Sequence, residues 1–467
     1  MDVGLRFGQQ RAVAGAPKRT RRLGAALLAS AMVGSVLVGC GAGAGESAGS
    51  GSLPDGSWID GPPPEDIEGP DGLTTDGIEV MPEMMEDSAS SDRSGDAAAG
   101  DAGAAVAPSA LKAGHIDDND DFEGFLEYLD RVRSIGVPFR EMDPSGRVVI
   151  TVVDPDRRPA AGAEVVVSAG GEEVARIRTT ADGTALFHPR AYGVEDSRFT
   201  VASGGSSAEA QAGSAVSLEV SSAWRPERVP LDIAFAIDTT GSMGDELDRL
   251  KDSITSVVDR IEDLPGAPDV RLAMTVYRDE GDAYVTATHD FTGDVPAFRE
   301  ELAALSADGG GDQPEALDEA LAEVLGAPAW RDPAEAIQLV FVVGDAGGHP
   351  ERDVEQPYVE SMRNASERGV KILPIAASSS DDRAEVAFRQ LAQFTGAPFV
   401  FLAYGAGGAA TGGSTDIDST DYEELSLDDL IVRLVSEELA ALSGGGSSPA
   451  TVPPTVTTTT TTNPPGQ

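Results

Sequence analysis

The sequence predicts an α/β protein. A doubly wound, mostly parallel sheet is expected over residues 228–442 and a small all-β sandwich over 147–222, with disordered segments on both sides. Three observations carry this. From Leu231 onward, short apolar runs alternate with amphipathic helical stretches, as in βαβ units on a parallel sheet. Between Arg147 and Val220 the residues alternate in strand fashion between Asp-, Gly- and Pro-containing turns. Residues 41–113, and the stretch after Ser443, are rich in Gly, Ser, Pro and Ala or Thr and have no apolar period, so they have nothing with which to build a core.

The bulk composition agrees. A chain of 467 residues is long enough for two or three domains of roughly 100–200 residues each. Aromatic residues make up only 5%, while Gly numbers 54 and Pro 30, so any core must be largely aliphatic. The charge is 34 Lys+Arg against 79 Asp+Glu, a formal net charge of -45. Phosphate binding needs a basic footprint, so nucleic acid is excluded as a partner. Anionic lipid head groups would repel the folded body, whereas a cation or a basic partner suits it. Solubility and self-repulsion account for most of this charge. One cysteine rules out an internal disulfide framework.

The amino terminus reads as an address. Lys18, Arg19, Arg21 and Arg22 form a basic region before the apolar run Leu23 to Val38. That run is shorter than the roughly 20 residues of a transmembrane helix, and no other segment is long and apolar enough to span a bilayer. It ends Leu37-Val38-Gly39-Cys40, which resembles the lipobox of bacterial lipoproteins. The resemblance implies a signal peptide over 1–39 and diacylation at Cys40. It places the chain on the extracytoplasmic face of the cell membrane, held through Cys40 by acyl chains strong enough together to anchor it. The alternative is an ordinary secretory signal with an incidental cysteine.

After an acidic linker over 40–113 comes a short helical connector over 114–146. Its helix is expected over Asp121 to Val132, where Phe122, Phe125, Leu126 and Leu129 share a face that should pack on a following domain. In the sandwich region, strands are expected at Val149–Val153, Gly162–Val167, Ala175–Thr180 and Thr184–Phe187. The sequence "PDRRPAAGAEV" followed by "TTADGTALF" resembles carboxypeptidase-regulatory-like (transthyretin-like) domains. That resemblance implies a structural or adhesive spacer, which together with the linker would set the reach of the last domain.

In the last domain, strands are expected at Leu231–Ile237, Val270–Tyr277, Tyr284–Thr288, Ile337–Val343, Val370–Ala376 and Pro398–Leu402, with a final helix at Leu427–Leu442. Tyr277 and Tyr284 flank a Gly-containing turn, so those two strands should form an antiparallel hairpin at one edge. Leu247, Leu250, Ile254, Val257 and Ile261 share one helical face, with Ser242 a candidate N-cap.

The first of these strands ends Asp238-Thr239-Thr240-Gly241-Ser242. At the carboxyl end of a central strand, where doubly wound sheets open their ligand crevice, the loop can aim the Asp238 carboxylate and the Thr240 and Ser242 hydroxyls at one point. Hard oxygens of this kind suit Mg²⁺ first, with Mn²⁺ and Ca²⁺ also fitting. The pattern matches the metal-ion-dependent adhesion site of von Willebrand factor type A domains, a Rossmann-like fold. Two further segments are similar to that family: "ADGGGDQPE" at 307–315, which carries Asp312, and "VVGDAGGH" at 342–349, which carries Asp345. The resemblance assigns the metal to Asp238, Thr240, Ser242, Asp312 and Asp345, with Asp345 in the place of the acid that usually holds metal-bound water. Many relatives present a neutral Thr where Asp312 stands, so an acid there implies firm cation binding and a weaker pull on an anionic partner. Asp279, Asp282 and His349 are candidate rim residues. For Asp279 and Asp282 the alternative is ordinary turn duty, for His349 a structural hydrogen bond, and for Asp238 and Asp345 capping and turn duty.

The function expected from these features is cation-dependent binding of an acidic side chain on a protein partner. One alternative is a metal-independent envelope scaffold. A metal-assisted hydrolase is the other, and it finds no HExxH, G-x-S-x-G, P-loop or Cys/His pair to support it, so the chain reads as a non-enzyme.

Overall fold

The computed structural model describes residues 111–311, 313–377, 380–403 and 423–444. The signal peptide, Cys40, nearly all of the acidic linker, Asp312 and the carboxyl-terminal stretch beyond residue 444 lie outside the described residues.

The first element is a strand, β1 (Lys112–Ile116), followed by α1 (Phe122–Ile135). Asp121 caps α1 by accepting from the Gly124 N–H at 3.1 Å, and Gly136 ends it with φ at 80°. The helix therefore starts one residue later and ends three residues later than expected. Phe125, Tyr128, Leu129 and Val132 form its buried face, packed with Val386.

Seven strands follow: β2 (Val148–Val153), β3 (Glu164–Ala169), β4 (Glu172–Arg178), β5 (Thr184–Phe187), β6 (Arg198–Ser203), β7 (Ser206–Gln211) and β8 (Ala215–Glu219). They make one sheet ordered β5-β2-β8 and another ordered β4-β3-β6-β7. Val148, Ile150, Val165, Val167, Phe199 and Leu218 belong to one buried cluster that both sheets share. Alternation of apolar and polar residues along each strand turns one face of each sheet inward.

The remaining elements are β9 (Pro230–Asp238), α2 (Gly244–Ile261), β10 (Asp269–Tyr277), β11 (Thr286–Thr292), α3 (Val295–Ala303), α4 (Leu317–Gly326), β12 (Ile337–Gly344), α5 (Tyr358–Arg368), β13 (Lys371–Ala376), α6 (Asp382–Thr395), β14 (Phe399–Ala403), β15 (Leu425–Ser426) and α7 (Leu427–Ala441). They build an eight-stranded sheet ordered β11-β10-β9-β12-β13-β14-β1-β15. The run from β10 to β14 is parallel, and β11, β1 and β15 pair antiparallel to their neighbours. In β9, Ile233, Phe235 and Ile237 face the layer that holds α2, α3 and α7, while Ala234 and Ala236 face the layer that holds α4, α5 and α6. The large/small alternation thus puts both faces of the central strand under helices.

Three expectations need correction. Lys112–Ile116 was placed across the linker and the connector, yet it is a strand hydrogen-bonded between β14 and β15. Lys-Ala-Gly-His-Ile has little strand signal of its own, so its partners decide its state. In consequence the sandwich does not space the linker from the α/β domain, because the chain enters that sheet before it reaches the sandwich. Secondly, β11 begins at Thr286, not Tyr284, and runs on through His289 and Phe291. Thirdly, Ser242 is not an N-cap: it lies in a 3-10 turn over Gly241–Met243, and α2 starts at Gly244.

The sandwich docks beneath the amino ends of the parallel strands. The Lys371 ammonium, at the start of β13, pairs with Glu438 of α7 and sits 4.0 Å from Asp182 of the sandwich. His188 stacks on Phe394 of α6, ring centroids 4.4 Å apart. Among the described residues no helix is long and apolar enough to cross a membrane.

Candidate functional site

At the opposite end of the sheet, three loops meet. Asp238 is the last residue of β9 and is fully buried. Its Oδ1 accepts from the Thr240 N–H at 2.9 Å and from the Thr240 hydroxyl at 2.7 Å. Thr240 Oγ1 lies 3.2 Å from Ser242 Oγ, and the Ser242 hydroxyl is near enough to the Asp345 carboxylate to favour its charged form. Asp345 follows β12, the neighbour of β9, and is 1% exposed.

Backbone contacts hold the loops in register. Gly241 N–H donates to Gly309 O at 3.0 Å, and Asp308 N–H to Thr239 O at 3.1 Å, joining the first loop to the second. Glu315 N–H donates to Gly347 O at 3.0 Å, joining the second to the third. Gly310 has φ at 62°, and a Cβ there would stand 2.8 Å from the Thr240 Cβ and 2.9 Å from Glu315 Oε1. A side chain at Gly310 would therefore be both strained and in collision with the site. Gly344 has a similar duty, since its Cβ would meet the Tyr277 hydroxyl at 2.5 Å and the Asp238 Cβ at 3.1 Å.

The polar atoms left over are the most informative feature. Asp238 Oδ2, Asp345 Oδ1, Glu315 Oε2 and the Tyr277 hydroxyl are all buried and have no hydrogen-bond partner among the described residues. Burial, with the nearby Asp345 adding repulsion, pushes the Asp238 carboxyl up to about 7. Burial and then Asp238 push Glu315 up to about 8. Asp345 is raised by burial against the pull of the Ser242 hydroxyl, and the Tyr277 phenol is raised by burial and the three acids around it. Unpaired buried carboxylates cost several kcal/mol each unless a positive charge joins them.

A divalent cation fits this set. Two carboxylates and two hydroxyls are hard oxygen donors suited to Mg²⁺, Mn²⁺ or Ca²⁺. Among the described residues, no three His, Cys, Asp or Glu side chains are gathered closely enough to hold a metal by themselves. The hydroxyls of Thr240 and Ser242, and waters, would have to supply the remaining positions.

The candidate rim residues are occupied differently. Asp279 accepts from Arg352 Nη1 at 2.9 Å and lies 3.2 Å from His349 Nε2. Burial works against the Asp279 carboxylate, but the Arg352 hydrogen bond and the His349 side chain hold it below the ordinary range. His349 Nδ1 lies 3.0 Å from Glu351, so both ring nitrogens are engaged. Asp282 Oδ2 accepts from Gly310 N–H at 2.9 Å and Asp279 N–H at 3.2 Å. These three side chains brace the loops.

Sequence reasoning assigned no role to Glu315 or Tyr277. Glu315 stood in the quoted "GGGDQPE" run, three residues beyond Asp312, and the strand-end position of Tyr277 was the available signal for it. It also missed Arg140. That guanidinium makes a two-point ion pair with buried Asp318 of α4 and donates to the carbonyls of His349 at 3.0 Å and Arg352 at 3.1 Å. The connector thereby grips the loop that carries Asp345.

Residues 232–411 match the model of the von Willebrand factor A domain family. An ariadne-like RING finger protein of Acanthamoeba polyphaga mimivirus is 34% identical over 86 residues, which is 18% of this chain. The chain spans 8% of the length of that curated relative. Proximal thread matrix protein 1 from the mussel byssus is similar at 14% identity and a TM-score of 0.31, over 46% of each chain.

Proposed function

From the von Willebrand factor A domain at residues 232–411, we propose that the protein is a non-catalytic binding module that captures an acidic side chain of a protein partner through a divalent cation, Mg²⁺ first among the candidates. Asp238, Thr240, Ser242 and Asp345 would hold the ion, with Asp312 from the second loop. The ion supplies a positive, exchangeable position that a partner carboxylate can take. Anchoring through Cys40 at the extracytoplasmic face of the cell membrane belongs to the same reading and rests on the Leu37-Val38-Gly39-Cys40 motif.

The observation that supports it most is the pair of orphaned carboxylate oxygens, Asp238 Oδ2 and Asp345 Oδ1, buried beside two hydroxyls at the carboxyl ends of adjacent parallel strands. A scaffold with no use for a metal has no reason to bury acids unpaired. Calorimetric titration of Mg²⁺, Mn²⁺ and Ca²⁺ into the full-length chain tests it, beside the Asp238→Ala variant. Saturable binding by the wild type that the variant loses supports the reading. A folded wild type that binds none of the three ions removes it and leaves the scaffold.

A further inference from the structure

We propose that residues 119–147 form a strap that couples the seating of the sandwich to the candidate cation loops, with Arg140 positioning the third of those loops. This rests on the cation reading above and adds regulation to it from a segment outside residues 232–411.

The strap runs from one end of the α/β domain to the other. At its base Arg147, directly before β2, donates to Asn119 Oδ1 at 2.8 Å and lies over the Phe122 ring at 3.9 Å. The same oxygen accepts from Gln393 Nε2, near the end of α6, at 3.2 Å. Helix α1 then packs along α6, and the chain comes to Arg140 beside the start of α4. One guanidinium there holds Asp318 at two points and the carbonyls of His349 and Arg352. Met142 is buried in the cluster of α4, α5 and α6, which Ala191 of the sandwich also enters. What Arg140 grips leads into the site. The loop after β12 carries Asp345, its Gly347 carbonyl accepts from Glu315 N–H of the second loop, and its His349 and Arg352 side chains engage Asp279.

The two ends of the strap differ in fit. At the tip, buried Asp318 is answered by Arg140. At the seam beneath the sandwich lies a cleft of about 770 Å³, lined by Asn119, Phe122, Arg147, Leu186, Lys371 and Phe394 among others. Two buried polar atoms there, His188 Nδ1 and Gln393 Oε1, have no hydrogen-bond partner among the described residues. Unfilled space and unsatisfied polar groups weaken a seam, and domains of one chain shift against each other unless their interface is large and apolar. The sandwich can therefore move at the seam, and the direct step from Arg147 into β2 carries that movement along the strap to Arg140. Such coupling is reciprocal: a seated sandwich favours the cation, and the cation favours seating.

The test compares the full-length wild type with Arg140→Ala, Arg140→Lys and Asp182→Lys, using Mn²⁺ alone as the probe. Asp182 lies at the seam, 4.0 Å from the Lys371 ammonium, so Asp182→Lys sets like charges there and leaves the strap and the loops untouched. Affinity is read by electron paramagnetic resonance, and seating by hydrogen–deuterium exchange with and without Mn²⁺. Near-ultraviolet circular dichroism checks that each variant is folded. Affinity should fall about tenfold in Arg140→Ala and about threefold in Arg140→Lys and Asp182→Lys. In the wild type, Mn²⁺ should slow exchange at residues 238–242, 137–147 and 183–188. In Arg140→Ala the slowing should stop at 238–242. Slowing confined to 238–242 in the wild type overturns the coupling and makes Arg140 a local brace. Slowing that reaches 183–188 in Arg140→Ala as in the wild type overturns the role of Arg140. Wild-type affinity in Asp182→Lys overturns the link to the sandwich. Absence of Mn²⁺ binding in the wild type overturns the cation reading itself, which the other outcomes leave standing, and removes the coupling with it.

Discussion

Two buried acids on one strand are treated in opposite ways. Asp232, near the start of β9, is fully buried and accepts four hydrogen bonds: two from Arg271 at 3.0 and 2.7 Å, and two from Arg331 at 2.8 and 2.9 Å. Asp238, six residues on, is equally buried, has no basic partner among the described ion pairs, and leaves one oxygen unbonded. The same side chain in the same strand is thus a structural tie at one end of the sheet and an open valence at the other. Among the described residues, the buried carboxylate oxygens without a partner lie at the end where the loops meet, which is where doubly wound sheets bind ligands.

The contrast breaks first if both acids prove structural. Asp232→Ala should cost about 3 kcal/mol in urea unfolding, because it removes four hydrogen bonds and the carboxylate that the half-buried Arg271 and Arg331 share. Asp238→Asn should leave the metal-free chain as stable as wild type or more so, and an equal loss in both would erase the distinction. Next in size, Mg²⁺ at a hundred times its Kd should stabilise the wild type by about 2.7 kcal/mol in the same assay and leave Asp238→Asn unmoved.

The metal-free protein also has a predicted pH response. Asp238 and Glu315 are held at about 7 and about 8 in the fold, against about 4 in the unfolded chain. Raised carboxyl groups contribute stability that is present below about pH 4 and lost as pH climbs through 7 to 8. Thermal unfolding in chelator should therefore show the chain less stable at pH 8.5 than at pH 5.5, by about 5 kcal/mol at most. Saturating Mg²⁺ should flatten that fall, and a metal-free curve that rises over this range would contradict the site's electrostatics. The smallest effect tests the connector: Arg140→Lys loses the two-point grip on Asp318. It should weaken Mg²⁺ binding by roughly 0.5–1 kcal/mol in calorimetry.

Much of this was legible in the sequence because it is written in local pattern. The β9 alternation of Ile233, Phe235 and Ile237 with alanines marked a strand covered on both faces, and Asp238-Thr239-Thr240-Gly241-Ser242 marked the end where the candidate site lies. The structure brings Asp238, Thr240, Ser242 and Asp345 together as that motif implied. What stayed hidden depends on distant partners. Lys112–Ile116 becomes a strand because Phe399–Ala403 lies beside it, nearly 300 residues along the chain. Glu315 and Tyr277 are ordinary residues until Gly310 and Gly344 let them close on Asp238. Asp279 and His349 read as rim groups, since nothing in the Asp279 segment announces that Arg352 and His349 will meet it from a loop about 70 residues away.

The place of β1 also determines how tension would travel. β1 runs antiparallel to β14 with Lys112 beside Ala403, so the chain enters the sheet at the same end as Asp238, about 19 Å away across four strand spacings. A pull arriving from the residues before Leu111 and resisted by a partner at the loops would cross the sheet from strand to strand. It would load β1 lengthwise, so that its backbone hydrogen bonds to β14 and β15 share the stress. The sandwich lies off that path, a side branch that tension bypasses.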